Sequence, residues 1–93
     1  MRKIEQEMNR AIKQGYNWSS DNTTVHVEPT NGWRYVYFHG HHIATVDTSN
    51  VVDPNLETLA DGASKTTKSR LRALGVDVYT KAGTTYINGS AIG

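Results

Sequence analysis

The fold turns on the stretch Trp33-Arg34-Tyr35-Val36-Tyr37-Phe38-His39-Gly40-His41-His42-Ile43-Ala44-Thr45-Val46. In its first half Trp33, Tyr35 and Tyr37 alternate with Arg34, Val36 and Phe38, and in its second half Ile43 and Thr45 alternate with Ala44 and Val46. A period of two is the mark of a β-strand. His39-Gly40-His41-His42 supplies the turn between the halves, because glycine accepts a positive φ and histidine caps backbone groups. Upstream, Val25 and Val27 flank His26 and Pro29-Thr30-Asn31-Gly32 supplies another turn, so three consecutive strands are expected as an antiparallel meander. Strand 33–38 is apolar on both faces. Each face therefore needs a cover, the two helices being the candidates for the two faces, and Trp33, Tyr35 and Tyr37 are expected beneath a helix.

Ahead of the meander, Ile4, Met8, Ala11 and Ile12 recur at helical spacing from Met1 to Gln14, and Gly15 suits the left-handed position that closes a helix. The run from Asn17 to Asn22 reads as a polar turn anchored by Trp18. Beyond the meander, residues 47–62 are ambiguous. Asp53-Pro54 with Glu57 suits a short helix start and Leu56–Leu59 suits an edge strand, with the balance slightly towards the strand. Residues 66–74 form a second short helix, capped by Ser64 or Thr66, with Thr67, Leu71 and Leu74 on one face and Gly75 at its end. Val76–Thr80 and Thr84–Asn88 then flank Lys81-Ala82-Gly83 as a hairpin. The expected fold is α+β: a single domain, 1–93, with an antiparallel sheet of five to six strands packed against two helices, in the order α-β-β-β-(β)-α-β-β.

A chain of 93 residues, 37% hydrophobic and 20% charged, supports one modest core. Zero cysteines exclude a disulfide framework, thiolate zinc sites and a cysteine nucleophile. No apolar run approaches the roughly eighteen residues of a membrane span. The opening Met1-Arg2-Lys3-Ile4-Glu5-Gln6-Glu7 lacks the apolar segment of a secretory signal. No membrane partner is expected, and the protein is expected to stay where it is made.

The net charge of +1 conceals a strong polarity. Residues 1–15 carry four bases against two acids, residues 16–63 carry Arg34 against six acids, and residues 64–93 carry five bases against Asp77, giving +2, −5 and +4. The positive pole is Ser64-Lys65-Thr66-Thr67-Lys68-Ser69-Arg70-Leu71-Arg72. It either meets an anionic partner or faces the acidic middle inside the fold.

The phrases His39-Gly40-His41-His42-Ile43-Ala44, Thr66-Thr67-Lys68-Ser69-Arg70-Leu71-Arg72-Ala73-Leu74, and Tyr79-Thr80-Lys81 followed by Tyr86-Ile87-Asn88-Gly89, behind Lys3-Ile4-Glu5 and Met8-Asn9, resemble small, functionally unassigned proteins of tailed bacteriophages of the podovirus type. The resemblance implies no catalytic residue. It implies a protein acting in the cytoplasm of an infected bacterium, of a size typical of factors that bind and disable a host component.

Four groups of residues are candidates for chemistry. On helix 66–74, Lys65, Lys68 and Arg72 fall opposite the apolar side with Ser69 beside them. Lys65 and Lys68 stand at the positive end of the helix dipole, which disfavours cations by a few tenths of a kcal/mol. A phosphate backbone or an acidic protein surface would explain that breach, although exposed lysines at helix starts cost little. Arg70, at the edge of the apolar stripe, is expected to pair with a carboxylate inside the fold. His26, His39 and His41, with Glu28 or Asp47, form a weak metal set lacking any recognised ligand spacing, so no metal and no cofactor is expected. Trp18, Trp33, Tyr35, Tyr37, Tyr79 and Tyr86 suit either a base-stacking platform or a core, and a domain this small needs them for its core.

No phosphate loop, serine elbow, dinucleotide fingerprint or helical zinc motif occurs, and His26 or His39 with Asp21 or Asp47 gives only a bare acid–base pairing, so no enzyme is expected. The leading expectation is a non-enzymatic protein that inhibits or modulates a host bacterial protein, in a defence or nucleic-acid-processing complex, through Lys65, Lys68, Ser69 and Arg72 with Tyr79, Lys81 and Tyr86 as neighbours. Direct nucleic-acid binding by the same face is the alternative, and a histidine metal site the lesser one.

Overall fold

The computed structural model of the chain describes residues 2–60 and 63–92. Met1, where the expected first helix begins, and Asp61 and Gly62, at the end of the ambiguous stretch, lie outside the described residues. Helix α1 (Lys3–Gln14) follows from the helical spacing, and Gly15 closes it with φ 74° as its N–H donates to the Ala11 carbonyl at 2.8 Å. Met8, Ala11 and Ile12 are buried along its apolar stripe, and so is Glu5.

Five antiparallel strands follow, each paired with the next: β1 (Trp18–Ser20), β2 (Thr23–Val27), β3 (Arg34–Phe38), β4 (His41–Val46) and β5 (Val52–Pro54). The expected meander is their centre. Two of the expected turns shrink. The segment 17–22 turns only at Asp21-Asn22, with φ 46° and 65°, and the residues before it form β1. His39-Gly40 alone, with φ 51° and 78°, joins β3 to β4, so His41 and His42 belong to the strand. Paired positive φ values fit the twist of a two-residue hairpin.

The parity of β3 is opposite to the expected one. Arg34, Val36 and Phe38 share rows with Val27, Val25 and Thr23 on the side of the core, whereas Tyr35 and Tyr37 point away and Trp33 is 42% exposed. Short side chains decide this. Val25, Val36 and Ala44 let Met8, Ala11 and Leu71 pack close, while a buried tyrosine would need a partner for its hydroxyl. A bulge opposite Val36/Tyr37 leaves Ile43 as an extra residue, and Ile43 and Ala44 are consequently both buried. On the outward face His42 contacts Tyr35 and Tyr37 at ring distances of 5.6 and 5.5 Å, and its Nε2 lies 2.8 Å from the Thr45 hydroxyl. The expectation of one helix over each face is corrected: both long helices join a single core on one face.

The ambiguous stretch contains both elements, one after the other. After β5 the chain forms α2 (Leu56–Ala60), which corrects the leaning towards a strand at Leu56–Leu59. Asn55 makes the change: its Oδ1 accepts from the Thr58 N–H, its carbonyl accepts from the Leu59 N–H, and its amide donates to the His42 carbonyl on β4 at 3.0 Å. Helix α3 (Lys65–Ala73) starts one residue earlier than expected, capped by the Ser64 hydroxyl accepting from the Thr67 N–H at 3.1 Å. The C-terminal hairpin does not extend the meander. Strands β6 (Val78–Lys81), β7 (Thr84–Ile87) and β8 (Ser90–Ala91) form a second, three-stranded sheet that brings Val78 and Ile87 into the common core. No helix among the described residues is long and apolar enough to cross a membrane.

The turn Ala82-Gly83 places an alanine at φ 51°. A left-handed conformation costs an L-residue about 1–2 kcal/mol, and asparagine tolerates it better. Ala82→Asn is therefore expected to raise stability by about 0.5–1 kcal/mol, read as a higher midpoint in thermal or urea unfolding.

Candidate functional site

Helix α3 distributes its side chains by charge. Thr67, Arg70 and Leu71 turn inwards and are buried, Lys65 and Arg72 are exposed, and Lys68 and Ser69 are half-buried. Lys65, Lys68, Ser69 and Arg72 line one depression of about 450 Å³ together with Arg2, from the start of α1, and Thr80, on β6. Four cations meet there, and among the described residues no carboxylate lines the hollow. Lys68 Nζ donates to the Thr80 hydroxyl, and Arg72 Nε donates to the Val78 carbonyl at 2.9 Å. These are neutral acceptors, so they orient the cations without cancelling them. Among the described residues the one ion pair is Glu5–Arg70, so none of Lys65, Lys68 and Arg72 is paired with a carboxylate there. The spacings Lys65/Lys68 and Lys68/Arg72 set like charges one turn apart, each pair costing about 0.2–0.5 kcal/mol.

Sequence reasoning missed Arg2 and Thr80. Arg2 arrives from the far end of the chain, and only the docking of α1 on α3 brings it in. Thr80 follows from strand alternation, since Val78 and Thr80 share the side of β6 that faces α3. The same alternation removes three expected neighbours. Tyr79, Lys81 and Tyr86 lie on the other side of the hairpin, where Tyr79 stacks on its cross-strand partner Tyr86 with ring centroids 5.1 Å apart.

The histidines do not converge. His26 projects from the outward face of β2 opposite Tyr35, whereas His39 and His41 border a cleft on the inner side beside α2 and α3. Among the described residues no group of three or more His, Cys, Asp or Glu side chains is arranged to hold a metal ion.

Behind the cationic notch sits a buried polar cluster. Arg70 Nη1 donates to Glu5 Oε2 at 2.7 Å, Arg70 Nε donates to the buried Thr23 hydroxyl at 3.1 Å, and the guanidinium lies 5.9 Å from the Phe38 ring centroid. The expected internal pairing of Arg70 is thus present. Ser69 donates to the same Glu5 Oε2 at 2.6 Å, so its hydroxyl serves the interior as well as the wall of the notch. Burial would raise the pKa of Glu5, but hydrogen bonds from Ser69, Arg70 and the Arg2 backbone together with the Arg70 charge outweigh it and hold the carboxyl below its ordinary value.

Fold and notch define a small α+β domain with one polarised cationic hollow. The chain belongs to the family described as Kyanoviridae Gp96 protein, whose family model matches residues 1–92. It is therefore a phage protein. Kyanoviridae are myovirus-type phages, which corrects the podovirus expectation. No curated protein and no solved structure matches the chain.

The depressed pKa of Glu5 fixes the sign of its pH effect. A carboxyl lowered by folding contributes stability above its unfolded value, near 4.5, and loses it as pH falls through the lower folded value. Glu5→Gln is expected to flatten the fall of the urea midpoint below about pH 4.5, whereas the parent chain keeps it. Arg70→Ala leaves the Glu5 carboxylate buried without its partner and is expected to cost about 3–5 kcal/mol at neutral pH.

Proposed function

We propose that this phage protein is a non-enzymatic binding protein that acts inside the host bacterium by occupying an acidic surface of a host protein, blocking it sterically and electrostatically. The supporting observation is the convergence of Arg2, Lys65, Lys68 and Arg72 on one hollow with no carboxylate among the described residues of its lining. Like charges gathered at a cost to the fold are accounted for when a negative counterpart meets them. Occupation of a surface needs no catalytic group. A protein partner is favoured over nucleic acid by the charge outside the notch: residues 16–63 sum to −5, and a polyanion extending beyond a local contact would run into that repulsion. A defence or nucleic-acid-processing complex, with an acidic face of its own, is the expected kind of target.

The test compares the parent chain with the double charge reversal Lys68→Glu/Arg72→Glu as baits in host lysate, with circular dichroism to show that both are folded. The parent is expected to retain a host protein at least about tenfold better than the variant. Equal retention by both places the contact elsewhere and refutes the reading. Parallel titrations with generic DNA and RNA are expected to show no binding at low salt. A micromolar complex that weakens steeply with salt and is lost in the variant would replace the host protein with a nucleic acid.

A further inference from the structure

Exposed ion pairs contribute little each in water, and tight interfaces add an apolar or aromatic anchor sunk in a pocket beside the charges. A hollow of that kind opens next to the notch. It has a volume of about 510 Å³, its apolar part is formed by Phe38, Ile43 and Leu59, and Ser64 and Thr67 reach it from the first turn of α3. The His39 ring stands edge-on to Phe38 at 4.4 Å and 72°, forming an aromatic wall. Lys65 and Lys68, one residue further along the helix than Ser64 and Thr67, line the cationic notch instead. The two hollows thus flank one turn of α3, a helix about 10 Å across.

We infer that the partner binds through an acidic segment carrying a bulky aromatic side chain, with the ring in the Phe38–Leu59 cleft and the carboxylates in the notch; this rests on the cationic reading above. Charge complementarity fixes the acidity of the segment, and the aromatic wall and apolar floor fix its anchor. Extended chain advances about 3.3 Å per residue, so crossing the helix takes about three residues and places the carboxylates two to four positions from the ring.

The experiment uses the full ¹⁵N-labelled chain and two blocked peptides, acetyl-Trp-Gly-Glu-Asp-Glu-amide and the same peptide with alanine in place of tryptophan, followed by amide shift changes in NMR titrations. The tryptophan peptide is expected to bind about tenfold or more tightly than its alanine counterpart and to shift Phe38, Ile43 and Leu59 as well as Lys65 and Lys68. Thr58→Phe, which fills the cleft without altering a charge, is expected to abolish the difference between the peptides while the shifts at Lys65 and Lys68 persist. Should that variant fail to fold, the comparison of peptides on the parent chain decides alone. Equal affinities, shifts confined to the notch, or no shift at the cleft with either peptide would overturn the inference and leave the cationic reading standing. Tryptophan-dependent binding that is indifferent to Lys68→Glu/Arg72→Glu would instead overturn the cationic reading and, with it, the joint site.

Discussion

The buried pair of Glu5 and Arg70 governs how the rest of the molecule is arranged. Two ions removed from water carry a desolvation cost of several kcal/mol each, which is recovered only when every lone pair and donor finds a good partner. Here Glu5 takes donors from Arg70, Ser69 and the Arg2 backbone, and Arg70 divides its own between Glu5 and Thr23. The cluster therefore ties α1, α3 and β2 at one point, and its hydrogen bonds tolerate little sliding of one helix on the other. Apolar contacts among Met8, Leu71 and Val25 supply most of the burial, but they are non-directional and would accept several registers. The ionic cluster selects one.

That selection also makes the candidate site. With Arg70 turned inwards beside Thr67 and Leu71, helical spacing leaves Lys65, Lys68 and Arg72 no place but the surface. The same docking of α1 on α3 carries Arg2 to them. A basic residue drawn into the core is thus the reason that its neighbours present an uncompensated cationic hollow. The contribution of Ser69 divides between the two tasks, since its hydroxyl completes the shell of Glu5 while its position borders the notch.

Local periodicity made the elements legible, and anything set by long-range packing was not. The α1 stripe, the paired strands around His39-Gly40 and the Ser64 cap each declare themselves within a few residues. The parity of β3 does not, because Trp33-Tyr35-Tyr37 and Arg34-Val36-Phe38 are both plausible as a core face until the close approach of α1 demands the smaller valine. Nor does the independence of the second sheet: Asn88-Gly89, with φ 51° and 86°, is a two-residue hairpin signal that was open to recognition, but a strand as short as Ser90–Ala91 has no periodicity to support it. In the site, the contribution of α3 could be read from its wheel, whereas Arg2 lies 63 positions before Lys65 and is joined to it only by the fold.

The polarity of the sequence left open whether the acidic middle neutralises the basic ends. Among the described residues it does not, because the single ion pair joins Glu5 of the first segment to Arg70 of the last. Two acids of the middle segment are engaged near their own turn: Asp47 accepts the N–H groups of Ser49 and Val51, and Asp47 and Asp53 border a separate hollow with Trp33 and Thr45. Thr45 and Asp53 are paired on the outward face of the meander, whereas the notch is built from α1, α3 and β6 on the side of the core. Fields between exposed charges decay over about 8 Å at physiological salt, and the molecule measures 39 × 25 × 21 Å. The hollow bordered by Asp47 and Asp53 and the cationic notch are therefore separate surfaces, and a partner seated in the notch meets its cations without those two carboxylates among them.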